Sequence, residues 1–359
     1  MEGNLAGKAS GPVAARTSAA SIARELGVST AAVSYALNGK PGVSDNTRRD
    51  ILKLARARGI RSRTSGPVGS TSTRVIALVV PNLTNPMFQY WANEILLVAA
   101  SEDFEVLLVA TEDKPARLEA IARTLVNRDI QGAVILATHR TDASALLTLR
   151  EARIPFTFLS RRSEYVSADF VGIDDYAAAR QITEHVLGHG VKNPATVVGP
   201  RFSTASAQRE KGMVGALQSA GLQVLPEQRI ATDLARDGGH RAVKHLLSLP
   251  TRPDAILCGS DEISLGVMEA LSEHGIETGK DIVVTGFDGL QHTTSPLIGL
   301  TTIVQPLKEI GATAARHLFH RLRSGPQDEH RSVIVPHTLH IGRTCGCGAV
   351  GKTAAGKDT

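Results

Sequence analysis

Polar side chains stand directly after several short apolar runs of the sequence, where the ends of parallel strands would bring them together. These residues are Arg161, the pair Ser260 and Asp261, Asp288, and the triplet Thr111, Glu112 and Asp113. A guanidinium donates several hydrogen bonds in a fixed fork, and hydroxyl and carboxylate oxygens accept them. The pattern therefore predicts a cleft that binds a small polar molecule.

A different pattern occupies residues 19–37, AASIARELGVSTAAVSYAL. Its apolar residues are spaced so that two short helices share one small core, and Gly27 supplies the positive φ that a tight turn needs. Ser18 and Ser29 are the expected N-caps of these helices, the second of which spans 30–38. A basic third helix is expected to begin at Ser44. The pattern predicts a helix-turn-helix.

The second helix of such a unit enters the major groove of DNA, where its early exposed residues meet base edges. Asn38 at its end suits the phosphate backbone. Arg48 lies on the exposed basic side of the third helix, and Arg61 beyond it is expected to touch phosphate or a narrow minor groove. The alternative is a three-helix bundle whose basic face is only solvated. The predicted DNA-binding set is Ser18, Ser29, Thr30, Ala31, Ser34, Tyr35, Asn38, Arg48 and Arg61.

Signatures of common enzymes do not occur: the sequence holds no G-x-G-x-x-G, Walker-type loop, G-x-S-x-G or H-E-x-x-H. We therefore expect neither catalysis nor a cofactor. One group has metal-ligand chemistry, namely His337, His340, Cys345 and Cys347. Because its C-x-C spacing is tight and its setting is glycine-rich, no metal site is expected there. Cys258 lies inside an apolar run and is expected to be a small buried side chain.

Beyond residue 73, short β-rich runs alternate with longer amphipathic segments. Continuous apolar strands that alternate with helices indicate parallel sheets covered on both faces, and the length favours two α/β lobes over one. The predicted strands are 75–80, 105–110, 132–136, 156–159, 195–198, 255–258 and 282–285. The predicted helices are 87–101, 115–128, 176–188, 206–220, 238–248 and 262–274.

The predicted division of the chain follows these patterns. It comprises a disordered tail over 1–16, a helix-turn-helix domain over 17–60, a linker over 61–73, a two-lobed effector-binding and dimerisation domain over 74–343, and a second disordered tail over 344–359.

The stretch SIARELGVSTAAVSYALNGKPGVSDNTRRDILKLARARGI resembles the DNA-binding domain of the lactose and galactose repressor family of bacterial transcription regulators. The resemblance covers about residues 17–343. It implies a periplasmic-binding-protein-like body whose two lobes, joined by crossing strands, close around an effector. Matching motifs in the body are VVPNLTNP at 79–86, Glu184-His185, Gly188-His189, Gly199-Pro200, Ser260-Asp261, Gly286-Phe287-Asp288, LTTI at 300–303 and Gln305-Pro306.

The same resemblance implies that Arg209 grips the effector and that Asp288 accepts hydrogen bonds from ligand hydroxyls, with Phe88 as an aromatic face. An N-cap or loop-fixing role is the alternative for each, above all for Asp261 at a helix start. The predicted effector-binding set is Phe88, Ser160, Arg161, Arg209, Ser260, Asp261 and Asp288.

Two departures from the family bear on mechanism. Leu234 stands where sugar-binding members often place an aromatic platform, and Ser160 where others often have Asp, so a plain hexose is not implied. The linker RSRTSGPVGSTST lacks the family's hinge-helix pattern, and its Gly-Pro pair opposes a helix. The usual coupling of the effector to DNA bending is therefore in question.

Charge is unevenly distributed along the 359 residues. Residues 1–73 hold 11 basic and 4 acidic side chains, whereas the rest hold 29 and 31, so a basic head precedes a nearly neutral body. Clustered positive charge is typical of phosphate binding. We expect a cytoplasmic, homodimeric, sequence-specific DNA-binding repressor that binds a double-stranded operator and responds to a small polar effector such as a carbohydrate.

The alternative function is that of a solute-binding protein of transporter type, which uses the same two-lobed body. The basic head argues against it, as does the lack of an apolar secretory core in the first 20 residues. Three sparse cysteines suit a reducing compartment, and no run approaches 18 apolar residues, so no membrane partner is expected.

Overall fold

The computed structural model describes residues 19–38, 40–57, 74–325 and 329–347. The chain divides into two compact units, Met1–Thr73 and Arg74–Thr359. Several sequence-based predictions lie outside the described residues: the tail over 1–16, the linker over 61–73, Ser18 and Arg61.

The first unit consists of three helices around one small core. They are α1 (Ala19–Leu26), α2 (Thr30–Leu37) and α3 (Asp45–Ala57). Ile22, Val33 and Ile51 are fully buried between them, and each contributes about 2 kcal/mol through the burial of its apolar surface. Gly27 adopts φ +63° in the turn between α1 and α2. The Oγ of Ser29 accepts the backbone N–H of Ala32 at 3.0 Å and so caps α2.

The first lobe of the second unit is a parallel six-stranded sheet. Its strands are β1 (Arg74–Val80), β2 (Phe104–Ala110), β3 (Gly132–Ile135), β4 (Phe156–Leu159), β5 (Asp169–Gly172) and β11 (Ser332–Ile334), in the order β11-β5-β4-β3-β1-β2. Alternate residues of β1 enter two separate apolar clusters, so the sheet is covered on both faces. The helices of this lobe are α4 (Pro86–Ser101), α5 (Pro115–Asn127), α6 (Ser144–Glu151) and α11 (Leu307–Ser324).

The second lobe repeats this architecture. Its strands are β6 (Pro194–Val198), β7 (Arg229–Ala231), β8 (Ala255–Cys258), β9 (Val283–Asp288), β10 (Thr301–Val304) and β12 (Thr338–His340), in the order β12-β10-β9-β8-β6-β7. Only the pairing of β10 with β12 is antiparallel among these strands as described. The helices are α7 (Asp175–Leu187), α8 (Thr204–Ser219), α9 (Arg236–Leu247) and α10 (Asp261–Glu273), with a short 3₁₀ turn at Pro226–Gln228.

The chain passes between the lobes three times, after β5, after β10 and after β11. The predicted α/β class with two parallel-sheet lobes and a helix-turn-helix head is confirmed. The tail predicted over 344–359 is wrong at its start, because Thr344 and Cys345 are each 1% exposed. The backbone N–H of Thr301 donates to the Oγ1 of Thr344 at 2.9 Å, which ties this segment to β10.

Candidate ligand-binding cleft and nucleic-acid interface

A cleft between the two lobes is lined by residues that follow strands of both sheets, as expected for the carboxyl ends of parallel strands. The first lobe contributes Asn85, Met87, Phe88, Trp91, Leu136, Leu159, Ser160 and Arg161. The second contributes Ser203, Ala205, Ser206, Arg209, Leu234, Ser260 and Asp288. The structure thus brings together every residue of the predicted effector-binding set except Asp261.

Arg209 is the centre of a buried charge network at the cleft. Its Nε donates to Asp175 Oδ1 at 2.8 Å, and its Nη1 donates to the backbone oxygen of Gly259 at 2.7 Å and to Asp288 Oδ1 at 3.2 Å. The guanidinium carbon also lies 3.8 Å from the ring centroid of Phe287. These contacts hold the planar group in one orientation, at 4% exposure.

Two carboxyl groups share this single guanidinium. Burial raises the pKa of Asp288 to about 8, although Arg209 and a hydrogen bond from Gln305 Nε2 at 2.8 Å oppose the shift. Burial also raises the pKa of Asp175 against the attraction of Arg209. One positive charge balances one carboxylate, so Asp288 retains its proton near neutral pH.

A second arginine lies on the side of the first lobe. Arg161 follows β4 and is 4% exposed. Its Nη1 donates to Asp113 Oδ1 at 2.6 Å. The sequence pattern placed both residues among the polar groups after strands, and the structure pairs them. The guanidinium is therefore neutralised within its own lobe.

Four polar atoms of cleft residues are buried without a hydrogen-bond partner. They are Asn85 Nδ2, Trp91 Nε1, Arg161 Nη2 and Asp288 Oδ2. A buried polar group without a partner costs about 1–3 kcal/mol. These atoms place three N–H donors and one carboxyl oxygen along the surface of one cleft.

Asp261 has a different role from the one expected. Its Oδ2 accepts the backbone N–H of Leu290 at 2.8 Å and the hydroxyl of Thr293 at 2.6 Å, while its Oδ1 accepts the hydroxyl of Thr302 at 2.6 Å. Asp261 therefore holds a loop in place and does not face the ligand cleft, because both of its oxygens accept internal hydrogen bonds and it does not line the cleft. Ser260, by contrast, lines the cleft and also caps α10, since its Oγ accepts the N–H of Ile263 at 3.2 Å.

Sequence reasoning missed several residues of the cleft or its supports, among them Asn85, Trp91, Asp175 and Gln305. Asn85 precedes Pro86 as the N-cap of α4, and Gln305 directly follows β10. Their positions next to a helix start and a strand end could therefore have identified both as candidates. Asp175 begins α7 and is indistinguishable in sequence from an ordinary helix-start carboxylate. Trp91 lies within a helix among other apolar residues and gave no signal.

The exposed face of α2 is the candidate nucleic-acid interface. Thr30, Ala31, Ser34 and Tyr35 are all exposed, and Tyr35 retains 42% of its accessible surface. These are the four residues expected to meet base edges. None of these four side chains belongs to the buried core of the three helices.

Three other residues expected at the DNA have internal contacts. Ser29 caps α2, and Asn38 Nδ2 donates to the backbone oxygen of Ser34 at 2.8 Å. The Arg48 guanidinium donates to the backbone oxygens of Tyr35 at 3.4 Å and of Lys40. The Arg48 guanidinium thus braces the end of α2, and its contact with DNA stays a prediction.

The comparisons with known proteins agree with this geometry. The model for bacterial regulatory proteins of the lacI family matches residues 20–59, and the model for periplasmic binding proteins and the sugar binding domain of the LacI family matches residues 73–343. Catabolite control protein A of Priestia megaterium is 27% identical over 322 residues, which cover 89% of this chain and 96% of that protein.

The ribose operon repressor of Escherichia coli (strain K12) is 25% identical over 322 residues, covering 89% of this chain and 98% of that protein. Among solved structures, the complex of the transcriptional regulator CelR with cellobiose has a TM-score of 0.70 at 23% identity and covers 92% of this chain and 100% of that one. It shows the same fold.

The transporter alternative is not favoured, because the regulatory-family match falls on α1, α2 and α3. No helix in the described parts of the chain has the length and hydropathy needed to cross a membrane. The two family matches together span the head and both lobes, and the chain belongs to the lacI family of bacterial regulatory proteins.

Proposed function

We propose that this member of the family is an operator-binding repressor whose DNA affinity changes when a neutral polyhydroxylated molecule, a mono- or disaccharide, binds between the lobes. The observation that supports the ligand class is the set of four unpartnered polar atoms along the cleft. Three are N–H donors, and the fourth, Asp288 Oδ2, can both accept a hydrogen bond and, when the carboxyl is protonated, donate one. Sugar hydroxyls both donate and accept hydrogen bonds, so one ligand can satisfy both kinds.

The charge balance favours a neutral ligand over an anion. Arg161 is paired with Asp113, and Arg209 is balanced by Asp175, with Asp288 protonated near neutral pH. No positive charge is left over to stabilise a phosphate or carboxylate. Phe88 and Trp91, with ring centroids 6.1 Å apart, add an apolar surface on which the C–H face of a sugar can pack. The name of the relative that represses the ribose operon fits this class.

The DNA side of the proposal rests on the exposed face of α2. Thr30, Ala31, Ser34 and Tyr35 contact base edges, while Ser29, Asn38 and Arg48 hold the helix in shape. Two such heads are needed to reach successive major grooves about 34–36 Å apart, so the operator-binding form is a homodimer. Because the chromosome is its target, the protein acts in the cytoplasm.

The test pairs a ligand titration with an operator-binding assay on the purified full chain. A panel of neutral sugars, with a sugar phosphate and a sugar acid for comparison, is screened by thermal shift. We expect a neutral sugar to raise the melting temperature and to change affinity for an operator selected from random DNA. At 100 times its dissociation constant, a ligand adds about 2.7 kcal/mol to stability.

Trp91→Phe then removes one N–H while keeping an aromatic side chain, and we expect about tenfold weaker binding of that sugar. Thr157→Val is the matched control, because Thr157 Oγ1 is also buried without a partner but does not line the cleft. Binding of anions alone, or equal sugar affinity in both variants, contradicts the proposal.

A further inference from the structure

The carboxyl end of α7 and the last described residues of the chain form a cluster of metal-ligand side chains. His185 is in the final turn of α7, and His189 follows one helical turn later. Cys345 and Cys347 come from the segment after β12. One ligand atom from each of these four residues lies within 4.8 Å of all the others.

Four of the six distances between the ligand atoms are close to those of a tetrahedral site. His185 Nε2 lies 3.4 Å from His189 Nε2 and 3.3 Å from Cys345 Sγ. Cys347 Sγ lies 3.6 Å from His185 Nε2 and 3.3 Å from His189 Nε2. With Zn–S bonds of about 2.3 Å and Zn–N bonds of about 2.0–2.1 Å, tetrahedral angles give ligand separations of about 3.3 Å for N–N and about 3.6 Å for N–S.

Sequence spacing alone did not indicate this arrangement. His337 and His340 are the histidines near the two cysteines in sequence, whereas the structure places His185 and His189 beside them. The partners are about 160 residues apart in sequence, so only the fold brings them together. The cysteines also lie beyond residue 343, where the match to the family's sugar-binding domain ends. The two cysteines therefore come from outside that match, whereas His185 and His189 lie within it.

We propose that His185, His189, Cys345 and Cys347 bind one Zn²⁺ ion. Two imidazoles and two thiolates in tetrahedral geometry are typical of zinc, and four protein ligands leave no open position, so the ion is structural and not catalytic. The ion connects the segment after β12 to α7, the helix whose first residue, Asp175, is paired with Arg209 at the cleft. Binding releases the protons of both thiols.

The test is metal analysis of the full chain purified under reducing conditions. We expect one zinc per chain, and cobalt(II) added to the metal-free protein to give the visible absorption of tetrahedral cobalt with thiolate ligands. Cys347→Ala and His189→Ala each remove one ligand at a position that is not fully buried, and are expected to weaken Zn²⁺ binding about 100-fold or more.

Matched controls are Cys258→Ala and His240→Ala, which remove a thiol and an imidazole outside the cluster. They are expected to retain one zinc per chain. The proposal is overturned if folded protein binds no Zn²⁺, if the cluster variants keep wild-type affinity, or if Cys345 and Cys347 form a disulfide that reducing agent does not convert to a zinc-binding form. Circular dichroism establishes that each variant is folded.

Discussion

Replacement of Asp288 by asparagine tests the buried charge network of the cleft directly. Asp288 is completely buried, and both Arg209 Nη1 and Gln305 Nε2 donate to the same oxygen, Oδ1. Asparagine can keep that oxygen in place and has nearly the shape of a protonated aspartate. Asp288→Asn therefore mimics the protonated acid at every pH and removes only its titration.

The size of the expected stability difference follows from the pKa of Asp288, which burial raises from an ordinary value near 4 to about 8. Between these values the folded state holds a proton that the unfolded state has lost, so the free energy of unfolding falls by about 1.36 kcal/mol per pH unit. The stabilisation is complete below pH ~4 and is lost as pH rises to about 8. From pH 5 to pH 8, the free energy of unfolding of the wild type should therefore fall by roughly 4 kcal/mol more than that of Asp288→Asn.

The assay is urea unfolding at several pH values, followed by the fluorescence of Trp91, the only tryptophan of the chain. The measured quantity is the difference in unfolding free energy between variant and wild type at each pH, which removes the contributions of groups that do not interact with Asp288 or Arg209. Asp233→Asn, at a side chain that is 59% exposed, is the control and should follow wild type. If the unfolding free energies of Asp288→Asn and wild type change in parallel with pH, Asp288 is not a buried carboxyl with a raised pKa.

Three further substitutions test the helix-turn-helix unit and the loop that Asp261 holds at Leu290 and Thr293. Tyr35→Ala should broaden base preference in a binding-site selection without lowering the melting temperature, because the ring is outside the core; an unchanged sequence profile would remove α2 from the interface. Gly27→Ala should cost about 1 kcal/mol in thermal unfolding, because φ is +63°; a neutral effect would mean that the turn tolerates a Cβ. Asp261→Ala should cost about 3 kcal/mol or more, since the Leu290 N–H and the Thr293 hydroxyl each lose an acceptor; full stability would show that the loop is held otherwise.

Strands that form continuous apolar runs could be predicted from the sequence, and β4 and β8 begin and end as expected. Five strands were missed. Strands β7, β11 and β12 have three residues each and none that is fully buried, whereas β5 and β10 are largely buried but have only four residues each, of which two are Asp, Gly or Thr. Helix α11 was also missed. Part of its buried face consists of glycine and alanine, and at Gly311 an added Cβ would lie 3.1 Å from the backbone of Trp91. Small residues that pack this closely do not give the sequence the pattern of large apolar residues by which a helix is predicted.

Residues of the cleft that end or directly follow strands, such as Arg161 and Asp288, could be found from the sequence because parallel strands end at a common edge. Their hydrogen-bond partners could not. Asp175 lies just after one segment that passes between the lobes, and Gln305 lies within another. Only the three-dimensional arrangement reveals that they contact Arg209 and Asp288. Pairing across long sequence separations is a property of the fold and not of local spacing.

The distribution of unpartnered atoms constrains how a ligand can act on the lobes. Asn85, Trp91 and Arg161 belong to the first lobe, whereas Asp288 ends β9 of the second. A ligand that contacts only one lobe binds open and closed arrangements equally and shifts no equilibrium. A ligand that bridges a first-lobe donor and the Asp288 carboxyl binds the closed arrangement more tightly, and by that difference alone it favours closure. The free energy available for regulation is therefore set by hydrogen bonds made to both lobes at once, and not by total affinity.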